Sequence, residues 1–204
     1  METLRTIYYR KSCRKFKNIP IGKEIQRELI MAAQQAPSPK NIQPWRFKII
    51  TDKIQKEKIA DCLFQNIQKL KKENEIKKIN RVDLDFALES VEIIKQAPMI
   101  VFVYLVTDLL NLHDDGVEWE LNAKDSESTY IMSIGAAIQN MILTATDKGL
   151  GSLWMADIFY AYNDINKIMG ISGNMMSAVA IGYSDDNTKK SLRKPLDEVL
   201  LNDD

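Results

Sequence analysis

Residues 36–45 read APSPKNIQPW. Pro37, Pro39 and Pro44 are interleaved with Ser38, Lys40, Asn41 and Gln43, and Trp45 closes the stretch. Proline fixes φ and removes a backbone donor, so the segment is stiff while its side chains remain able to donate and accept hydrogen bonds. A stiff loop that displays polar groups reads as a binding element. It also punctuates the chain. Upstream, Ile25, Leu29, Ile30, Ala33 and Ala36 recur at helical spacing between Gly22 and Ala36, and Pro37 stops that helix. Downstream, WRFKIIT (45–51) is short, apolar and β-branched, which predicts a strand.

The same helix–strand punctuation extends outward. Residues 2–10 predict a short helix that runs into the basic cluster RKSCRKF (10–16). Over 53–80, Ile54, Ile59, Leu63, Ile67 and Leu70 form an amphipathic stripe among Lys/Glu pairs, and a further helix is expected over 83–96. MIVFVYLV (99–106) is nearly all apolar, as a strand buried on both faces should be. Residues 107–125 are polar and read as a loop, a candidate lid carrying Trp119. Over 126–147, Tyr130, Ile134, Ala137, Ile138, Met141 and Ala145 make one stripe, widened by Ile131 and Ile142. LGSLWM (150–155) and MMSAVAIGY (175–183) predict strands, with a helix between them at 161–169. Residues 185–204 read as a C-terminal arm. Strands separated by helical segments give one layered domain over 1–204, α+β or α/β. Trp45, Trp119 and Trp154 are expected in its core.

Composition narrows the function. The 204 residues are 45% hydrophobic and 27% charged, ordinary for a globular protein and unlike a disordered one. Lys plus Arg and Asp plus Glu both number 28, so no global field favours nucleic acid or an anionic membrane. An anion has to be held by a local cluster. No run approaches the length of a membrane span, the N-terminal residues lack a signal-peptide apolar region, and Cys13 and Cys62 form no disulfide framework. A cytoplasmic location is the expectation.

Candidate chemistry is sparse. Arg10, Lys11, Ser12, Arg14 and Lys15 place guanidinium forks and a hydroxyl within six residues, a composition able to bind phosphate, although charge alone favours a solvated basic turn. GLGSLW (149–154) has Trp154 where a dinucleotide fingerprint needs its third glycine, and it enters a strand instead of leaving one. GISGNMMS (170–177) lacks the GK[ST] ending of a phosphate loop. The single His113 lies beside Asp114, Asp115, Glu118 and Glu120, which reads as a solvated acidic loop, and no metal is expected. Cys13 reads as structural despite its basic neighbours.

In order along the chain, RKSCRKF, APSPKNIQPW, a long helix entering GLGSLW, a strand ending AIGY, and LRKPLDEV resemble the FMN-dependent nitroreductase family. APSPKNIQPW is close to that family's APSxxNxQPW pattern, whereas 53–96 matches no family motif. The resemblance implies an α+β fold with a central, mostly antiparallel sheet flanked by helices, and a homodimer with FMN at the subunit interface and a long helix between subunits. It implies that Arg10 and Ser12, with Lys11 between them, hold the flavin phosphate and ribityl chain, and that Arg14 reaches the pyrimidine edge. It further implies that Pro37, Ser38, Pro39 and Asn41 are offered to the partner's flavin. Arg193, with Lys190 as a weaker helper, is the implied second phosphate ligand. Ala156, Asp157 and Ile158 are the implied backbone donors beside flavin N5, with Asp157 standing where many relatives have glycine. The implied activity is NAD(P)H-dependent reduction of nitroaromatics, quinones or similar small-molecule oxidants by ping-pong hydride transfer. The alternatives on the same scaffold are an ene-reductase, a reductive dehalogenase or a non-catalytic flavin-binding protein.

Overall fold

A computed structural model of the chain describes residues 2–77, 84–106, 123–171 and 173–201. Strands β1 (Trp45–Ile50), β2 (Met99–Leu105), β3 (Leu150–Met155) and β4 (Asn174–Tyr183) form one sheet in the order β1-β2-β4-β3. Every pairing is antiparallel, with Phe102 opposite Ala178 and Val101 opposite Val179 at the centre. Around the sheet lie α1 (Thr3–Tyr9), α2 (Lys23–Gln34), α3 (Lys53–Lys77), α4 (Asp85–Gln96), α5 (Ala123–Asp147) and α6 (Tyr162–Met169). This is the α+β class that the resemblance implies. Among the described residues no helix is long and apolar enough to cross a membrane.

All seven residues of β2 are buried, because helices cover both faces of the sheet there. Strand side chains alternate, so the two faces build two cores. Ile100, Phe102 and Tyr104 face α3, α4 and α6, where Ile59, Leu63, Ile67 and Ile94 are fully buried. Met99, Val101, Val103 and Leu105 face α2 and α5, joined by Leu29, Ala33, Ala137, Ile138 and Met141.

Boundaries shift for local reasons. Helix α2 ends at Gln34, two residues short of Ala36, since the residue before a proline disfavours the helical region. Helix α5 already includes Ala123, three residues before its stripe predicts, so residues 123–125 belong to it and not to the polar excursion. The rest of that excursion, with His113 and Trp119, lies outside the described residues. Helix α3 is described through Lys77, and α6 follows a 3-10 turn over Asp157–Ala161. Gly170, in the left-handed conformation at φ 63°, ends α6.

Trp45 is buried as expected, but Trp154 is 46% exposed. The reason is topological. Strand β3 is the edge of the sheet, and Trp154 alternates outward between the buried Leu153 and Met155. Gly182 is demanded by packing, because a Cβ there would sit 2.5 Å from Pro98 Cδ and 2.9 Å from Phe16 Cδ1.

Candidate functional site

The basic cluster becomes an extended strap along the free edge of β3. Ser12 forms a parallel bridge with Ser152, and the Cys13 amide donates to the Ser152 carbonyl at 2.9 Å. Phe16 bridges Ser184 in the antiparallel sense just beyond β4. An extended strap sends successive side chains to opposite sides. Arg10 and Ser12 turn into a cleft of about 470 Å³ with Ser152 and Trp154 of β3, Gln139 of α5 and Arg193 of the arm. Lys11 and Cys13 turn into a neighbouring cleft.

The first cleft is built for an anion. Arg10 and Arg193 come from opposite ends of the sequence, and neither has a carboxylate partner among the described residues. Burial, and then the like charge of Arg193, pull the Arg10 guanidinium below its ordinary value. Two facing guanidiniums with a hydroxyl at hand repel each other until an anion arrives, and their fork geometry suits a phosphate. Lys190 also lines this cleft, with its ammonium donating to the Tyr8 carbonyl at 2.6 Å. A cation at the C-terminal end of α1 suits the helix dipole. The ring of Trp154 packs on α5 where Gly135 leaves room, 3.8 Å from the position of a Cβ.

Lys11 is not brought to this cleft. Its ammonium donates to the carbonyls of Asp186 (3.1 Å) and Thr188 (2.6 Å), tying the arm to the strap. Asp186 secures the same junction by accepting from the Arg14 amide at 2.9 Å and from the Thr188 amide at 2.8 Å. The Arg14 amide, assisted by Thr188 and Lys11, holds the Asp186 carboxyl down to about 2. Cys13 is structural, as expected: burial pushes its thiol up, and its Sγ would lie 2.6 Å from a Cβ on Gly151.

A second group gathers on α4, in the stretch that matched no motif. The Arg14 side chain lies with its Nε 3.8 Å from the Glu89 carboxylate. The adjacent Ser90 hydroxyl donates to Asp157 Oδ2 at 2.6 Å. Glu89 and Ser90 thus connect the strap to the turn after β3. In that turn Ile158 is fully buried, and the Ala156 carbonyl accepts from the Phe159 amide. Sequence reasoning missed Glu89 and Ser90, since no spacing rule ties α4 to residue 14 or 157.

Pro37, Ser38, Pro39 and Asn41 do not reach either group within one chain. Pro39 and Asn41 lie in a 3-10 turn over Pro39–Asn41 against α5, entered through Pro37 and the extended Ser38, and the Pro44 carbonyl accepts from the Val106 amide beyond β2. Ser38 Oγ accepts from the Gln43 amide at 2.9 Å, and Gln43 Nε2 donates to Asn41 Oδ1 at 3.3 Å. Lys40 (φ 48°), Asn41 (56°) and Gln43 (52°) are all left-handed. Strain concentrated on an exposed loop is a mark of functional segments.

The model of the nitroreductase family matches residues 7–183. A Streptococcus pyogenes protein that carries the name of an NAD(P)H nitroreductase is 27% identical over 201 residues, 94% of each chain. The solved BluB-like flavoprotein of Clostridium difficile superposes with a TM-score of 0.79 at 29% identity, covering all of both chains. A Desulfovibrio desulfuricans protein named as a nitroreductase and solved in complex with FMN superposes at 0.73 with 24% identity, covering 100% of this chain and 98% of that one. With the family model spanning the strap, the proline loop, the sheet and the helices around it, this chain belongs to the nitroreductase family.

Proposed function

We propose that the chain is an FMN-dependent oxidoreductase that draws on NAD(P)H to reduce nitroaromatics, quinones or similar small acceptors, and that it works as a homodimer. The observation that carries the reading is the pair of guanidiniums, Arg10 and Arg193, facing one cleft without a carboxylate between them. Their chemistry fits the phosphate of a flavin mononucleotide, with Ser12 adding a neutral donor. The flavoprotein and the FMN complex among its structural relatives support the same cofactor.

In this reading Arg10, Ser12 and Arg193 anchor the phosphate, and Lys190 braces α1 beside them. Arg14, held by Asp186 through its backbone and facing Glu89 through its side chain, supplies positive charge where an electron-rich ring would develop negative charge. FMN, when bound, supplies the hydride-accepting and hydride-donating chemistry, so the protein needs to place and polarise instead of providing an acid or base. Ser90 holds Asp157 and thereby sets the path of the turn over 156–158. One pocket used in turn by reductant and oxidant explains why the chain lacks a separate dinucleotide fingerprint.

The homodimer rests on the face that the chain leaves uncovered. Ile131 and Met132 of α5, Leu4 and Tyr8 of α1, and Leu192 and Leu201 of the arm are all exposed apolar side chains. Apolar side chains left exposed in such number suit an interface, and an obligate one resembles a core cut in half. A partner lying there would bring its own Pro37–Asn41 loop, which finds no cleft within one chain.

The test is an anaerobic absorption spectrum of the purified protein before and after NADH or NADPH. Bound FMN that bleaches on addition is the expected result, and a colourless protein that takes up no FMN on reconstitution overturns the reading. A panel of nitro, quinone, enone and halogenated acceptors then separates nitroreductase from ene-reductase and dehalogenase. No acceptor turnover at all would leave a flavin-binding protein without catalysis.

A further inference from the structure

A separate cleft of about 630 Å³ opens where β1 ends and β2 begins, and it shares no lining residue with the Arg10–Arg193 cleft. Three helices deliver four lysines to it: Lys23 from the first residue of α2, Lys53 and Lys56 from the first turn of α3, and Lys95 from the last turn of α4. No carboxylate lines it. Glu57 and Asp61, which pair with Lys53 at 3.8 Å and Lys95 at 3.0 Å, stand outside its walls. Asp52, the nearest other acid on α3's approach, is committed to capping, since its Oδ1 accepts from the Gln55 amide.

Lys56 is the unusual member. It is 6% exposed, and its ammonium makes one hydrogen bond, to the Ala97 carbonyl at the end of α4. An ammonium has three donors, so among the described residues two find no acceptor, and no described carboxylate lies within ion-pair distance. Burial lowers its proton affinity, and the charge of Lys53 adds to the effect, while Glu57 and Asp52 oppose it. A buried cation with unspent donors is costly unless an anion reaches it. Phe16, Ile21 and Pro98 add apolar lining to the same cleft, beside the neutral polar Asn18, Gln26 and Thr51. Helix α2 also opens here at Gly22 without a side-chain cap, with Glu24 the one acid in its first turn.

We propose that this cleft binds a small molecule bearing a pyrophosphate group, its phosphoryl oxygens on Lys56, Lys53 and Lys23 and its apolar portion against Phe16, Ile21 and Pro98. The site is independent of the flavin reading. Its volume matches a ligand of nucleotide size. Lysines act on phosphate as point charges, which suits a ligand with several oxygens and rotational freedom.

Calorimetric titration of the purified protein at low salt, without added FMN, with sodium pyrophosphate and separately with ADP, tests the proposal. Saturable binding is expected for both, with ADP at least as tight because it also uses the apolar lining. Lys23→Gln and Lys53→Gln, both at surface positions compatible with folding, should each weaken binding by about tenfold, and Lys56→Met by more. Arg193→Gln should leave pyrophosphate affinity at this cleft unchanged. Absence of saturable heat up to about 10 mM, a regime weaker than any specific site, overturns the proposal. So does binding that survives the three lysine variants and disappears in Arg193→Gln, because the anion would then occupy the arginine cleft. Lys53→Gln keeps the test decisive if Lys56→Met fails to fold.

Discussion

The two faces of the sheet are bordered differently. On the α3–α4–α6 face, Leu63, Ile67, Ile94 and Phe102 are sealed within the chain. On the α2–α5 face the inner layer is as dry, yet the outer side of α5 still presents Ile131 and Met132, and the edge strand presents Trp154. The outer sides of α3 and α4 also present Ile54, Phe64 and Phe86, so the faces differ less in exposed apolar surface than in what borders it: α5 and β3 wall the Arg10–Arg193 cleft. Under the proposed homodimer the first face should carry stability and the second assembly, a contrast that can be broken experimentally.

Leu63→Ala removes a fully buried side chain from the α3–α4–α6 face, and it should destabilise the chain by about 2–5 kcal/mol whatever the protein concentration. Met132→Asp, on the α2–α5 face, should instead shift the molecule toward monomer in sedimentation while changing the unfolding midpoint of that monomer little. If Met132→Asp proves as damaging in dilute protein as Leu63→Ala, the contrast between the faces is wrong.

The cleft at the rim of the α2–α5 face should respond next. Arg10→Gln combined with Arg193→Gln should weaken FMN retention by about a hundredfold, near 2.7 kcal/mol, because each charge-assisted pair is replaced by a weaker neutral one. Fluorescence of released flavin on dilution measures it. Retention equal to that of the parent protein would place the phosphate elsewhere.

Asp186 connects strap and arm, and its effect is pH-dependent. Its folded carboxyl titrates at about 2, below the ordinary aspartate value. A depressed folded value contributes stability that is fully present above about pH 4 and is lost as pH falls toward 2. Asp186→Ala strands the Arg14 and Thr188 amides and should cost about 1–3 kcal/mol at pH 7. The gap between variant and parent in urea should narrow between pH 4 and 2. A gap that stays constant over that window would detach the carboxylate from the junction.

The smallest effect is expected in the proline loop. Lys40→Gly relieves a left-handed lysine and should stabilise the chain by about 0.5–1 kcal/mol, seen as a small rise in melting temperature. A loss of stability would mean that the Lys40 side chain contributes more than its backbone strain removes.

Much of this was legible in the sequence where periodicity is strong. The unbroken apolar run of β2 and the stripe of α5 announced a doubly covered sheet, and APSPKNIQPW marked the turn between α2 and β1. The strap was legible as a basic cluster but not as two faces, because alternation is decided by its pairing with β3, which no local signal states. That is why Lys11 leaves the company of Arg10. Trp154 resisted reading for a related reason: its exposure follows from β3 being an edge. Ser90 and Glu89 were hidden because they meet Asp157 and Arg14 across long sequence separations. The lysine cleft is the extreme case, with residues 23, 53, 56 and 95 converging only when three helices are set in place.

The anion cleft joins residue 10 to residue 193, with β3 at its floor. Such a site cannot assemble from any early fragment of the chain. It closes only after β4 has paired on β2 and the arm has folded back to the strap through Lys11 and Asp186. Contacts of this sequence separation form late, since their loop closure must be met before they give anything back. Any ligand held there clamps the two ends of the chain and stabilises everything between them by mass action. Flavin retention should therefore act as a gauge of complete folding, with release preceding the loss of helical signal on heating.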